Sequence, residues 1–130
     1  MTTGCADDLI SDERYQAAVA LFNQHSWYLA HDAFEELWHE SLGPMRSILH
    51  GIIQVSVAEF HLDNGNLRGS TLLMAEGLNH LSSADGNVLD VDLPSLQTIV
   101  RQRLAALQSG VSLDNLPLPH LVSRTSQRLT

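Results

Sequence analysis

The segment from His31 to Trp38 carries side chains whose types and spacing could do chemistry. Glu35 and Trp38 follow His31 by four and seven residues, so all three lie on one face of a predicted helix. An imidazole and a carboxylate four residues apart can share a metal ion, move a proton or hydrogen-bond a polar ligand. This segment is therefore the first candidate site.

A second polar stripe runs along the most apolar stretch of the chain. It is formed by His50, Gln54 and His61, which again follow the spacing of one helix face. Buried polar groups need hydrogen-bond partners, so we expect these side chains to meet polar groups or a ligand.

The short turn Leu42–Pro44 makes the two helices that carry these residues antiparallel neighbours. Folding the chain at this turn predicts that His31 faces Gln54 and that Glu35 faces His50. The expected result is a ladder of polar pairs along the interface between the two helices.

Metal binding is one interpretation of the polar residues. At a rise of about 1.5 Å per residue, His50 and His61 are separated by about 16 Å, too far for a single ion to bind both. A divalent metal would instead use His31, Glu35 and His61, as in a metal-dependent, hydrolase-like enzyme. No metalloprotease motif, nucleophile elbow or phosphate loop accompanies these residues, so the sequence leaves enzymatic activity undecided.

The charge balance argues against several classes of partner. Fifteen acidic residues stand against seven basic ones, giving a formal charge of −8, and every basic residue is an arginine. An acidic chain without a basic run repels phosphate groups, so we expect neither nucleic acid nor anionic membrane surfaces as partners. Cys5 is the only cysteine, which excludes an internal disulfide and multi-cysteine zinc sites.

The sequence carries no recognisable targeting or membrane segment. The first ten residues are polar and acidic rather than basic and then apolar. The longest apolar stretch, Ile48–Phe60, is interrupted by His50, Gln54, Ser56 and Glu59, so it is not a membrane span. We expect a cytoplasmic protein.

Apolar residues recur at helical spacing through most of the chain, which predicts an all-α fold. About five helices are expected in an antiparallel helical-hairpin array, or bundle, around a central apolar helix at about 45–63. The predicted organisation is a flexible N-terminal lead at 1–10, one helical domain at 11–109 and an extended C-terminal tail at 110–130.

The motifs at these positions resemble domain-of-unknown-function family 309, a group of small helical bacterial and archaeal proteins. The similarity covers about Leu21 to Leu81. It rests on a His-x-x-x-Glu-x-x-Trp helix, a Gly-Leu-Ile-Gln-like helix, and a histidine followed by Gly-Asn-x-x-Gly, which here are residues 31–38, 51–54, 61 and 65–69.

The resemblance implies an all-α fold and one candidate site, made of His31, Glu35, Trp38, Gln54, His61, Asn66 and Gly69. The chain departs from the family at several positions. His25 replaces a usual turn glycine, Asp32 a usual glutamate, His50 a common glutamine and Ser70 a common alanine. Since glutamine cannot replace a strong imidazole ligand, the departure at His50 favours a hydrogen-bonding role there.

Residues after His61 are explained most simply by local structure. Asn66 is predicted to cap a helix, and Gly69 to permit a close contact in its first turn. Arg68 is expected either to pair with Asp63 or to hold an anion at the mouth of a pocket.

The favoured function is that of a binding module for a small molecule or a protein, because no complete catalytic motif is present. The alternatives are the metal-dependent enzyme and a purely structural polar network whose function lies on the surface of a homo-oligomer. The candidate ligand-binding residues are His31, Glu35, Trp38, His50, Gln54, His61, Asn66, Arg68 and Gly69.

Overall fold

The computed structural model describes residues 6–82 and 89–123. Its helices, in chain order, are α1 (Ala6–Ile10), α2 (Glu13–Asn23), α3 (Trp27–Glu40), α4 (Pro44–Asp63), α5 (Leu67–Ser82) and α6 (Leu93–Ser109). Within these ranges the extended pairing amounts to one isolated antiparallel bridge, between Val91 and Ser123. The predicted all-α fold is confirmed.

Each helix from α2 to α5 packs against the helix that follows it. Central α4 is buried on most sides, and side chains such as Ile48, Leu49, Ile52 and Val55 have no exposed surface. The predicted boundaries of this helix were correct to within one residue at its start. Gly43, with a φ of 66°, and Pro44 begin it, as expected of a residue pair that breaks one helix and starts another.

Helix α1 was not predicted, since positions 1–10 were expected to form a flexible lead. Its residues 6–10 contain a helical turn instead, because Leu9 is buried in the core at 6% exposure. Asp12 caps α2, accepting a hydrogen bond from the Arg14 backbone N–H at 2.9 Å.

Two glycines allow α4 and α5 to approach closely. A Cβ atom at Gly51 would lie 2.9 Å from Leu81 Cγ and 3.0 Å from the Gly77 carbonyl oxygen. A Cβ atom at Gly77 would lie 3.0 Å from Val55 Cγ2. The tight contact of Gly51 is therefore with α5.

A buried ion pair joins α4 to α6. Both side chains are almost fully buried, Arg103 at 3% and Glu59 at 1% exposure, and the guanidinium donates through Nε and Nη2 to the two carboxylate oxygens at 2.6 Å each. Arg103 Nη1 also donates to the Pro117 carbonyl oxygen at 3.2 Å. This pair fixes α6 and the following segment on the central helix.

The segment after α6 returns to the beginning of the bundle without forming a helix. The Asn23 side chain donates to the Leu121 carbonyl oxygen at 2.9 Å and accepts from the Leu121 N–H at 2.8 Å. Leu121 is buried, so this part of the predicted extended tail packs on the bundle.

None of the helices within 6–82 and 89–123 combines the length and apolarity that crossing a membrane requires.

Candidate functional site

Three helices bring a stack of rings together at one side of the bundle. The His50 ring of α4 lies between the Trp38 ring of α3 and the His80 ring of α5, with centroids 5.0 Å and 4.4 Å away. The Arg46 guanidinium lies over the Trp38 indole, 4.1 Å from the ring centroid. We call the following residues the three-helix cluster: Trp38, Arg46, His50, Gln54, Glu76 and His80.

Gln54 connects the α4 and α5 residues of the three-helix cluster through its side-chain hydrogen bonds. It is buried, its Nε2 donates to Glu76 Oε2 at 2.8 Å, and its Oε1 lies 2.6 Å from His80 Nδ1. Because the amide oxygen can only accept, His80 Nδ1 must carry the proton of that hydrogen bond. The amide therefore sets both the tautomer of His80 and the position of the Glu76 carboxylate.

Two polar groups of the cluster are not satisfied by the protein. The indole N–H of Trp38 is buried and has no hydrogen-bond partner. Across residues 6–82 and 89–123, neither imidazole nitrogen of His50 takes part in a hydrogen bond, although its ring packs against the rings of Trp38 and His80. An unpaired buried donor costs about 1–3 kcal/mol, so the Trp38 N–H is a group for which a ligand acceptor would be favourable.

The surroundings of His50 oppose its protonation. Burial lowers the pKa of its imidazole from the ordinary value of 6.5, and the neighbouring His80 and Arg46 lower it further, while Glu76 acts in the opposite direction. His50 is accordingly neutral at pH 7 and can both donate and accept a hydrogen bond.

Acid should therefore weaken the fold through His50. The unfolded chain binds a proton at His50 before the folded chain does, so this contribution to stability is complete above about pH 6.5 and is lost as the pH falls below it. We expect the stability advantage of the wild type over His50→Gln to shrink between about pH 7.5 and pH 5.5 in urea unfolding. The exposed His39→Gln is the control, and an advantage that grows on acidification would contradict the assignment.

His31 and Glu35 interact along their own helix. His31 Nε2 lies 3.2 Å from Glu35 Oε2, His31 Nδ1 lies 3.2 Å from the Tyr28 carbonyl oxygen, and Glu35 Oε1 lies 3.8 Å from His39 Nε2. The predicted pairing of His31 with Gln54 is wrong, because the Gln54 amide bonds to α5. Likewise, the His50 ring stacks on Trp38 and His80 rather than pairing with Glu35.

The residues after His61 form the turn into α5. Asn66 Oδ1 accepts a hydrogen bond from the Gly69 N–H at 2.9 Å, and a Cβ atom at Gly69 would lie 2.6 Å from Asn66 Nδ2. The predicted cap and close contact are confirmed. His61 Nδ1 lies 3.5 Å from Asn66 Nδ2, at the limit of a hydrogen bond. Exposed Arg68 takes part in none of the ion pairs found in the described part of the chain.

The predicted metal ligands are not assembled. Within residues 6–82 and 89–123, no three His, Cys, Asp or Glu side chains are grouped so that they could hold a metal ion. His31 and Glu35 are in contact, but His61 lies at the turn with Asn66 and does not complete their set. The sequence-predicted residues thus separate into a pair on α3, a turn before α5, and the part of the three-helix cluster formed by Trp38, His50 and Gln54.

Sequence reasoning missed the two cluster residues on α5. Glu76 and His80 stand four residues apart on either side of Gly77. A glycine inside a helix is a signal for a close contact with another helix, and Gly77 makes such a contact with α4. The types and spacing of Glu76 and His80 are also those of an ordinary solvated helix face, so the sequence alone gives no reason to prefer them.

Residues 15–73 match the family model described as domain of unknown function (DUF309). The resemblance deduced from the motifs is therefore confirmed over the stretch from α2 into α5, which includes Trp38, His50 and Gln54. Glu76 and His80 lie beyond the matched residues. Comparison with curated proteins gives no match.

Proposed function

From the resemblance to this family and the geometry of the three-helix cluster, we propose that the chain is a binding module for a small polar molecule. The ligand is held by Trp38 and His50, and it carries an oxygen that accepts a hydrogen bond from the indole. The observation that carries the proposal is the buried Trp38 N–H without a protein partner. Cytoplasmic location, expected from the sequence, is part of the same proposal.

The rest of the cluster supports binding by holding these two residues in place. Gln54 donates a hydrogen bond to Glu76 and accepts one from His80, which fixes the ring against which His50 packs. A site whose supporting side chains are locked loses little conformational freedom when a ligand arrives. Binding is proposed rather than catalysis, because the cluster offers no serine, threonine or cysteine nucleophile beside a base.

Arg46 controls access to the indole in this proposal. Its guanidinium covers a face of Trp38 and donates to the Trp38 and Ser41 carbonyl oxygens at 2.9 Å and 3.4 Å. The side chain is long and partly exposed, so it can move without disturbing the backbone. A ligand carboxylate or carbonyl would then reach the indole N–H and keep a hydrogen-bonding cation beside it.

The test follows the indole N–H resonances of Trp38 and Trp27 by NMR while the full chain is titrated with acetate, acetamide and larger carboxylates and amides. We expect at least one compound to shift the Trp38 resonance and leave that of Trp27 in place. Trp38→Phe should abolish binding and change stability little, because loss of the unpaired N–H, worth about 1–3 kcal/mol, offsets lost packing.

The opposite pair of results would favour a structural role for the cluster. If no compound moves the Trp38 resonance and Trp38→Phe strongly destabilises the fold, the indole serves packing and the binding proposal fails. Arg46→Ala provides the matched variant, since it removes the cover without touching the indole N–H. It should speed ligand entry and exit, seen as sharper exchange-averaged signals, if Arg46 gates the site.

A further inference from the structure

A pocket that shares no residue with the three-helix cluster lies between the beginning of α3 and the end of α4. Its volume is about 340 Å³, near the lower end of the range for small-molecule sites. The side chains that matter most for its chemistry are His25, Trp27, Tyr28, Leu29, Phe60 and Asp63.

Four of the seven residues that line the pocket carry aromatic rings. The Tyr28 and Phe60 rings lie with centroids 5.4 Å apart and planes inclined at 53°, and His25 lies 5.2 Å from Trp27. Tyr28 is 56% exposed although it belongs to this aromatic group. The faces of such rings carry partial negative charge, so inclined rings around one space attract a cation.

The charged groups favour the same kind of ligand. Asp63 lines the pocket, is exposed, and forms none of the ion pairs found across residues 6–82 and 89–123. The chain as a whole carries a formal charge of −8. The positive end of the α3 dipole and the negative end of the α4 dipole meet here and oppose one another. The rings and Asp63 therefore decide whether the pocket favours a cation or an anion.

We propose that this pocket binds an organic cation, namely a methylated ammonium group carried by a small molecule. The methyl groups contact the rings of Tyr28 and Phe60, and Asp63 supplies the compensating negative charge. The site adds to the proposed function and does not depend on it, because its residues and its reporter tryptophan are different.

Choline is the probe, and its uncharged isostere, in which carbon replaces the nitrogen, is the matched control ligand. Both are titrated into the full chain at about pH 8, above the reference pKa of imidazole in model peptides. Backbone signals of residues 25–29 and 60–63 and the Trp27 indole signal report binding. We expect choline to bind at least about fivefold more tightly than the isostere, as a cation–π contribution of about 1 kcal/mol implies.

Substitutions separate the contributions of the rings and the carboxylate. Tyr28→Leu should weaken choline binding about fivefold and leave isostere binding nearly unchanged. Asp63→Asn should also weaken only choline binding, whereas Glu13→Gln, which removes one negative charge at the far end of α2, should not. Far-UV circular dichroism verifies that each variant is folded. Equal affinity for the two ligands, no choline binding, or equal effects of Asp63→Asn and Glu13→Gln would overturn the proposal.

Discussion

Arg103→Met should lower the free energy of unfolding by about 3–5 kcal/mol. The reason is the carboxylate that remains. Glu59 is 1% exposed and receives two hydrogen bonds of 2.6 Å from the guanidinium, so its charge would be left uncompensated in the core. Urea unfolding followed by circular dichroism measures the change.

A double variant tests whether Arg103→Met loses stability because Glu59 is left without a partner or because the packing of the Arg103 side chain is lost. Glu59→Leu combined with Arg103→Met replaces the ion pair with apolar side chains, which is often close to neutral for stability. We expect it to recover most of the loss, apart from the hydrogen bond from Arg103 to the Pro117 carbonyl oxygen. The explanation fails if the double variant is as unstable as Arg103→Met, or if Arg103→Met itself costs less than about 1 kcal/mol.

Gly51→Ala should lower the free energy of unfolding by about 1–3 kcal/mol, even though alanine is the better helix former by about 1 kcal/mol. The added methyl group would meet the Gly77 carbonyl oxygen at 3.0 Å and Leu81 Cγ at 2.9 Å. A backbone oxygen in a packed helix cannot move aside as a flexible side chain can, so α4 and α5 must separate. Urea unfolding gives the magnitude.

The same separation should also disturb the three-helix cluster. Gln54 reaches across the α4–α5 contact to His80 and Glu76, and its hydrogen bonds of 2.6 Å and 2.8 Å leave no room for a wider spacing. The His80 imidazole signals should therefore shift in Gly51→Ala. The control is Ala75→Gly on the exposed face of α5, which measures helix propensity alone. A Gly51→Ala protein that is more stable than wild type would show that the contact is not tight.

The helices themselves could be predicted because their signals are local. The start of α4 at Pro44 and the end of α6 at Gly110, with a φ of 70°, follow from the conformational preferences of single residues. Helix α1 could not be predicted in the same way. A helix of five residues, in which Leu9 packs into the core, is too short to show a helical repeat.

The candidate site was predicted only in part, and the reason is the burial of α4. A helix covered on most sides has several neighbours, and the length of one turn identifies only the next helix along the chain. Gln54 was therefore assigned to α3, whereas its partners Glu76 and His80 lie on α5, and His80 is 26 residues away. The Glu59–Arg103 pair spans 44 residues and leaves no local trace in the sequence.

His25 links the family resemblance to backbone geometry. The resemblance implies a glycine at this position, and here the histidine adopts a φ of 64°, a left-handed conformation that glycine adopts at little cost. The chain therefore forms a left-handed turn with a histidine side chain at this position. That ring lines the pocket at the beginning of α3.

The contact between Asn23 and Leu121 affects the order in which the protein folds during its synthesis on the ribosome. The two residues are 98 positions apart, whereas the contacts between successive helices from α2 to α5 are far more local. Local contacts form early and a distant one must wait for its partner to be synthesised. The helical hairpins can assemble while the chain is still emerging, and α2 keeps an unpaired amide until the segment with Leu121 arrives to close the bundle.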